Sequence, residues 1–399
     1  MAEIERTEEK QELMTLSIGP HHPATHGVLR VVLQLEGEII KHARPENGFL
    51  HTGIEKQAEF LNWQQANTVI DRMDYLNSIG NNLGYVLTVE KAMGITDRIP
   101  ERATVARVIL AELQRIASHL VFLGTGGLDT GAANPIFWAF EIREHILDIF
   151  EATCGNRMNP SYIRVGGLAQ DLPDNFSEMV ENFLKNDRKL IQELKDVVLG
   201  NPIFIDRTRG IGKLTLDQAL GLGLTGHNLR VHGSDYDIRK YYPYCGYENY
   251  DFKVPVYTDG DIWSRAAIRF DEIWESFKII RQGLDNLPDG PHKIQDGKIS
   301  LPKKSDVRES MEALIHHFKL VQHGIDVPAG ETYHAVESPR GELGFYIVSD
   351  GSNHAVRVRV RPPSYYAVHA LTAMLPGHFI ADMVNIIAGI DPVFGEVDR

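Results

Sequence analysis

His21, His22 and His26 fall within one short stretch, Gly19-Pro20-His21-His22-Pro23-Ala24-Thr25-His26-Gly27, whose prolines and glycines forbid a regular helix or strand. Imidazole exchanges protons near neutral pH, so a stiff loop that presents it suits proton transfer to a bound molecule. Metal ligation is the other use of clustered histidines, but this spacing fits no helical or finger pattern. Loop stabilisation is the plain alternative. Arg72-Met73-Asp74-Tyr75 places a phenol and a guanidinium close together where a helix is expected to open, and Asp129 stands in Leu128-Asp129-Thr130-Gly131 just past an apolar helix. A phenol donates a proton to developing negative charge, and a carboxylate caps a turn or pairs with a cation. Packing and surface charge would account for the same residues one by one.

Other chemistries are narrower. The chain has two cysteines, Cys154 and Cys245, far apart and outside any CxxC pair. Neither a four-thiolate zinc site nor an iron–sulfur cluster can be assembled from them, and both read as buried thiols. Gly210-Ile211-Gly212-Lys213 lacks the earlier glycine of a phosphate loop, and Leu214 replaces the hydroxyl that would hold magnesium. Gly124-Thr125-Gly126-Gly127 follows a helix and not a strand, so it reads as the tight end of that helix and not as a dinucleotide loop.

The elements that must position these residues follow from periodicity. With 399 residues the chain is long enough for ample core, and 43% hydrophobic with 24% charged residues is ordinary for a soluble protein. A net charge of −13 without any Lys/Arg cluster argues against nucleic-acid binding. No run approaches the roughly 20 apolar residues of a membrane span, and the few cysteines fit a reducing compartment. Residues 1–12 read as a flexible charged tail. Residues 13–52 form an N-terminal β region, with strands at 13–18, 28–35 and 38–43 and the histidine loop between the first two. Residues 53–330 read as a helical core with helices at 53–63, 72–92, 101–123, 135–153, 176–198, 262–287 and 305–323. Residues 331–399 comprise a three-stranded meander at 331–337, 342–349 and 355–361, then closing helical material over 365–387. The fold class is α+β, a helical bundle core with small antiparallel sheets from both chain ends.

These pieces occur in one order with His51-Thr52-Gly53-Ile54-Glu55-Lys56, Ser118-His119-Leu120, Tyr162-Ile163-Arg164-Val165-Gly166-Gly167, Glu342-Leu343-Gly344 with Tyr346, and the ending Asp391-Pro392-Val393-Phe394-Gly395-Glu396-Val397-Asp398-Arg399. From residue 13 to the end, the series closely resembles the 49-kDa subunit family of respiratory complex I, the D-type subunits of bacterial NADH–quinone oxidoreductases. The ending itself resembles the Asp-Pro-Cys-x-x-Cys-x-x-His signature of nickel-iron hydrogenase large subunits. Val393, Glu396 and Arg399 stand where the ligands would be, and a soft metal centre needs thiolates. The resemblance therefore implies a hydrogenase-like fold emptied of its metal.

What the resemblance implies further is a quinone pocket where the metal once lay, shared with the small subunit that carries the terminal iron–sulfur cluster. By that resemblance Tyr75 and His26 hydrogen-bond the quinone head group, Asp129 pairs with His26, and Arg72 lies close to the cluster. His22, Thr25 and Asn159 belong to the same surroundings. The quinone is ubiquinone or menaquinone, no metal is bound by this chain, and the cluster belongs to the neighbour. Further partners are a C-type peripheral subunit, a ferredoxin-like subunit and the membrane subunit at the quinone entrance, with the chain held peripherally at the cytoplasmic face of the bacterial cell membrane. Proton translocation falls to the membrane partners. Two positions depart from the family pattern. Many relatives carry an arginine at Thr52, so a less positive cluster environment is expected, and others a titratable histidine at Asn159, so a weak pH dependence of the cluster potential is expected. Alternatives at this stage are a scaffold or assembly subunit without quinone contact, and the same site fed by ferredoxin or a deazaflavin. A metal-bearing hydrogenase is opposed by the missing cysteines.

Overall fold

The computed structural model describes residues 13–25 and 27–399. The tail 1–12 and His26 lie outside the described residues. Apolar residues alternate along β2 (Arg30–Glu36), burying Val31, Leu33 and Leu35 on one face. This strand pairs antiparallel with β1 (Met14–Ile18) and with β3 (Ile39–Glu46), Leu16 standing opposite Leu33. The histidine loop joins β1 to β2 and contains a short 3-10 turn, Pro23–Thr25.

The helix predicted over 53–63 ends at Phe60, and a second helix begins at Trp63 where the sequence predicts none. Helices α1 (Ile54–Phe60) and α2 (Trp63–Ile70) are separated because Asn62 caps the second: its side chain accepts from the Gln65 amide at 2.9 Å while the Gln65 side chain accepts from the Asn62 amide. Helix α3 (Ser78–Ala92) begins later than predicted, leaving Arg72–Tyr75 in a turn. The turn is held by side chains: Asp74 accepts from the Leu76 amide at 3.1 Å, and the Asn81 amide group donates to the carbonyls of Asp71 and Asp74.

Helix α4 (Glu101–Asp129) runs on through Gly124-Thr125-Gly126-Gly127, where the sequence predicts the helix to end. The glycines serve packing instead. A Cβ at Gly124 would lie 3.1 Å from the backbone of Ile136, and one at Gly127 3.0 Å from Pro135, so their absence lets α5 (Asn134–Cys154) cross closely. Asp129 is consequently the last helical residue and not part of a following loop.

A two-stranded hairpin, β4 (Ile163–Arg164) with β5 (Gly167–Leu168), then α6 (Phe176–Leu199), follow. Four short helices, α7–α10 (Pro202–Thr208, Leu216–Gly221, His227–Arg230, Ile238–Tyr241), lead to α11 (Ile262–Asp285). Ser310 splits the next predicted helix into α12 (Lys304–Glu309) and α13 (Met311–Gln322) by accepting from the Ala313 amide. The meander is β6 (Gly330–Ser338), β7 (Gly341–Ser349) and β8 (Arg357–Arg361), all antiparallel. The chain ends in α14 (Pro363–Met374), α15 (Ile380–Gly389) and α16 (Phe394–Asp398).

Two apolar clusters organise these elements. The larger joins α2–α6 and α11 to the meander, with Tyr85 packed edge-on to Phe345. The smaller joins the N-terminal sheet to α14–α16 through Leu33, Leu371, Phe394 and Val397. The two chain ends thus form one packing unit, which brings the histidine loop and the terminal segment together. Helix α4 is long and apolar enough to cross a membrane, but it lies mostly inside the core and carries buried Arg107, Glu112 and Arg115. Arg107 forks onto Glu90 at 2.7 and 2.9 Å and reaches the carbonyls of Arg164 and Gly167, fixing the β4–β5 hairpin against the bundle. At such depth the cost of desolvating the two charges offsets much of their attraction.

Candidate functional site

Three distant segments converge beside the chain end. Gly395 presses against the turn after α2: a Cβ there would lie 2.5 Å from the Met73 carbonyl oxygen. Gly27, at φ +138°, faces the Phe394 ring, where a Cβ would come within 2.8 Å of a ring carbon. Any larger residue at either position would push the histidine loop, the Arg72–Tyr75 turn and the terminal helix apart.

Arg340, from the turn between β6 and β7, lies buried at the junction. Its Nη1 donates to Asp74 Oδ2 at 2.7 Å and to Ser118 Oγ at 3.1 Å, and its Nε to the Asp391 carbonyl at 3.1 Å. Its Nη2 meets Asp391 Oδ1 at 3.3 Å. The other Asp391 oxygen lies 3.7 Å from Arg269, whose guanidinium also contacts His227 Nε2 at 2.6 Å and covers the Phe122 ring. Asp391 holds a left-handed backbone, φ 54°, which aspartate tolerates better than most residues. Burial raises the Asp74 carboxyl against the pull of Arg340, and Asp391 raises it further.

The positions that the resemblance aligns with metal ligands are engaged in other contacts. Val393 is buried, and Glu396 is fully buried with Oε2 accepting from the Ser364 hydroxyl and amide. Arg399 pairs with Glu55 at 3.0 Å. Asp398 accepts from the amides of Gly48 and Leu50 at 2.7 Å each, and its carbonyl contacts His51 Nδ1. A hydrocarbon, a hydrogen-bonded carboxyl and an ion-paired guanidinium do not suit a soft metal. The two cysteines lie elsewhere, and burial pushes both thiols up to about 12, so they stay protonated.

Tyr75 sits at the rim of this arrangement, 40% exposed. Its hydroxyl pKa is raised first by burial, with Arg340 opposing and Asp74 and Asp391 adding to the rise. Arg72 is exposed, and Asp71 lies buried beside it. Asp71 accepts from Ser161 Oγ at 2.6 Å, which ties the Arg72 turn to the segment holding Asn159. Burial moves the Asp71 carboxyl up to about 6, against the Ser161 and Asn82 hydrogen bonds and the charge of Arg72. Asn159, at φ 53°, has a buried Oδ1 with no hydrogen bond among the described residues.

Of the histidine loop, His22 is exposed, whereas Thr25 is buried and its hydroxyl donates to the His22 carbonyl at 2.7 Å, closing the turn. Thr25 therefore shapes the loop. The expected contacts of His26 with the quinone and with Asp129 fall outside the described residues. Asp129 is half-buried at the end of α4. His119 is wholly buried against Glu272 at 2.8 Å, and burial lowers its pKa, so it belongs to the core. Sequence reasoning misses Arg340, which occupies a plain Pro-Arg-Gly turn and meets Asp74 across 266 positions of chain.

Comparisons with known proteins show the family. Residues 129–399 match the family described as respiratory-chain NADH dehydrogenase, 49 Kd subunit. A curated relative from Symbiobacterium thermophilum, the first of its NADH-quinone oxidoreductase D subunits, is 70% identical over 98% of both chains. The NADH-quinone oxidoreductase D subunit of Deinococcus radiodurans is 51% identical, over 97% of this chain and 96% of its own. The second such D subunit of Chloroflexus aurantiacus is 49% identical, over 98% and 95%. The chain thus belongs to the 49-kDa subunit family of respiratory complex I, the D subunits of NADH-quinone oxidoreductase, hydrogenase-like in fold and a participant in NADH:quinone oxidoreduction.

Proposed function

We propose that this subunit forms one wall of the quinone-reduction pocket, with Tyr75 and His26 donating to the head-group oxygens and Asp129 favouring the protonated form of His26. The observation that carries this reading is the convergence of three segments: the Gly27 loop meets the terminal helix at Phe394, that helix meets the Arg72–Tyr75 turn at Gly395, and Arg340 binds both Asp74 and Asp391. It leaves a partly exposed phenol above a buried, charge-paired floor.

Reduction adds electrons and protons to the quinone, and the developing quinolate is best met by donors already aimed at its oxygens. A phenol with a reference pKa of about 10 and an imidazole of about 6.5 both serve as donors. Electrons arrive from NADH through iron–sulfur clusters, the last of them on the adjoining small subunit. Arg72 and the Asp71–Ser161–Asn159 side of the site face that cluster, while His22 and Thr25 shape the loop entrance. Exposed Phe49, Leu50, Leu128 and Met158 flank the same segments and are covered by neighbouring subunits. Those neighbours are the small cluster subunit, C-type and ferredoxin-like peripheral subunits, and a membrane subunit that admits the quinone and passes coupling to the proton-translocating partners. The chain is peripheral at the cytoplasmic face.

In the intact complex, a quinone-site inhibitor is expected to slow backbone hydrogen exchange of residues 20–27 and 72–77. Unchanged exchange in both segments, with protection confined to other subunits, would favour a scaffold role.

A further inference from the structure

We propose that the exposed face of α13, together with the cavity at its C-terminal end, is the docking site for an apolar, carboxylate-bearing segment of a neighbouring subunit. The inference rests on membership of a multisubunit complex. It goes beyond the quinone reading by assigning a partner surface that involves neither Tyr75 nor the histidine loop.

Helix α13 carries Met311, Leu314, Ile315, Phe318 and Val321 at the three- and four-residue spacing of one helical face. All five are between 47% and 78% exposed. Among the described residues of this helix only Leu320 is buried, and a second hold is His316 seated against Gly297, where a Cβ would lie 3.0 Å from the ring. A 12-residue helix is marginal in water on its own, and a continuous apolar strip left open marks an interaction surface. From Met311 to Val321 the strip runs about 15 Å, close to three helical turns.

The strip leads into a cavity of about 270 Å3 between α2, the β4–β5 hairpin and residues 293–301, with Leu320 and Val321 on its wall. Trp63, Leu168 and Ile299 give it apolar sides, and no Asp or Glu lines it. Two cations do. Lys293 is half-buried, and its Nζ donates to the Leu301 carbonyl at 2.7 Å. Arg164 is exposed, and its Nε reaches the Ser161 carbonyl at 3.4 Å. Neither forms an ion pair among the described residues, although the chain has 54 acidic residues against 41 basic ones. Burial first, then the charges of Arg164 and Lys303, lower the Lys293 pKa, with no carboxylate opposing them.

The strip and the cavity together define the occupant. Apolar side chains at helical spacing cover α13 in the manner of a helix laid on an apolar face, and a carboxylate at one end meets Lys293 and Arg164. Such a charge-assisted contact fixes register as well as adding affinity. An anionic membrane surface is opposed by the net charge of −13. The cavity also borders Ser161, whose hydroxyl binds Asp71, and so adjoins the segment of the exposed Met158.

The test uses the purified intact complex. Phe318→p-benzoylphenylalanine is irradiated, and the cross-linked peptides are identified by mass spectrometry. The expected partner is a segment of another subunit with apolar residues at helical spacing and an Asp or Glu among them. Zero-length carbodiimide coupling of the unsubstituted complex is then expected to join Lys293 to that carboxylate, a readout that needs no variant to fold. Lys293→Glu is expected to weaken retention of that neighbour at raised salt by about 10-fold or more, and replacing the partner's carboxylate with lysine to restore it. Cross-links only to lipid, to a second copy of this chain or within this chain overturn the proposal. So do a partner segment without a carboxylate, a coupling that does not reach Lys293, and unchanged retention in Lys293→Glu. The quinone reading fails separately, if Tyr75→Phe leaves quinone reduction intact, and that result moves none of these readouts.

Discussion

Arg340→Met is expected to destabilise the subunit more than any other single change at the site. The guanidinium is fully buried and donates to Asp74, Ser118 and both the side chain and carbonyl of Asp391. Removing it leaves the fully buried Asp74 without its cation and Asp391 with only the more distant Arg269, which costs about 3–5 kcal/mol. That is a large share of the roughly 5–15 kcal/mol that holds a typical domain together. A drop of roughly 10 °C in the melting temperature of the subunit within the complex, or failure to assemble, is the expected result. Adding Asp74→Asn to Arg340→Met neutralises one stranded charge and is expected to recover part of the loss, a coupling that a double-mutant cycle measures. A lone Arg340→Met as stable as the parent would show that these carboxylates are neutral or solvated.

The second large effect is expected on activity. Tyr75→Phe keeps the ring, its packing and its partial exposure, and deletes only the hydroxyl. Proton donation by a placed side chain contributes about 10²–10⁴-fold, so quinone reduction is expected to fall by about 100-fold or more. NADH oxidation by an acceptor that draws electrons before this subunit should be unaffected, because the phenol takes no part in electron entry. A parallel fall in both activities would point to damaged assembly. Retention of both would remove Tyr75 from the chemistry.

Much of this architecture is legible in the sequence, because long periodic segments and alternating strands report local preferences that burial then reinforces. The meander and the long helices fall close to where their patterns place them. The failures are informative for the same reason. Asn62 and Gln65 carry the spacing of a capping box, a local signal that the helical period over 53–63 overlooks, and glycines that suggest a helix end at 124–127 serve close contact with α5. Arg72–Tyr75 lies in a turn because Asn81 and Arg340 bind its carbonyls and carboxylate, and the second of these contacts is made across the fold. The candidate site is visible in the sequence only through its motifs. Its floor is not, since Arg340, Asp391 and Glu396 acquire meaning through partners far away along the chain.

The terminal segment is held in the fold by its own side chains. Asp398 and Arg399 anchor the helix through backbone amides and Glu55. Phe394 and Val397 pack into the cluster shared with the N-terminal sheet, while Val393 and Glu396 are buried where ligands would stand, Glu396 being held by Ser364. These contacts fix the terminal helix against the N-terminal sheet and the Arg72–Tyr75 turn.

The central claim is that the quinone head group meets this subunit at the Arg72–Tyr75 turn and the histidine loop. A quinone carrying a photoreactive group on its ring, activated in the intact complex and mapped by peptide sequencing, tests it most directly. Covalent label within residues 20–27 or 72–76, suppressed by excess unmodified quinone, is the predicted result. Suppressible label confined to other subunits, with none on either segment, would contradict it.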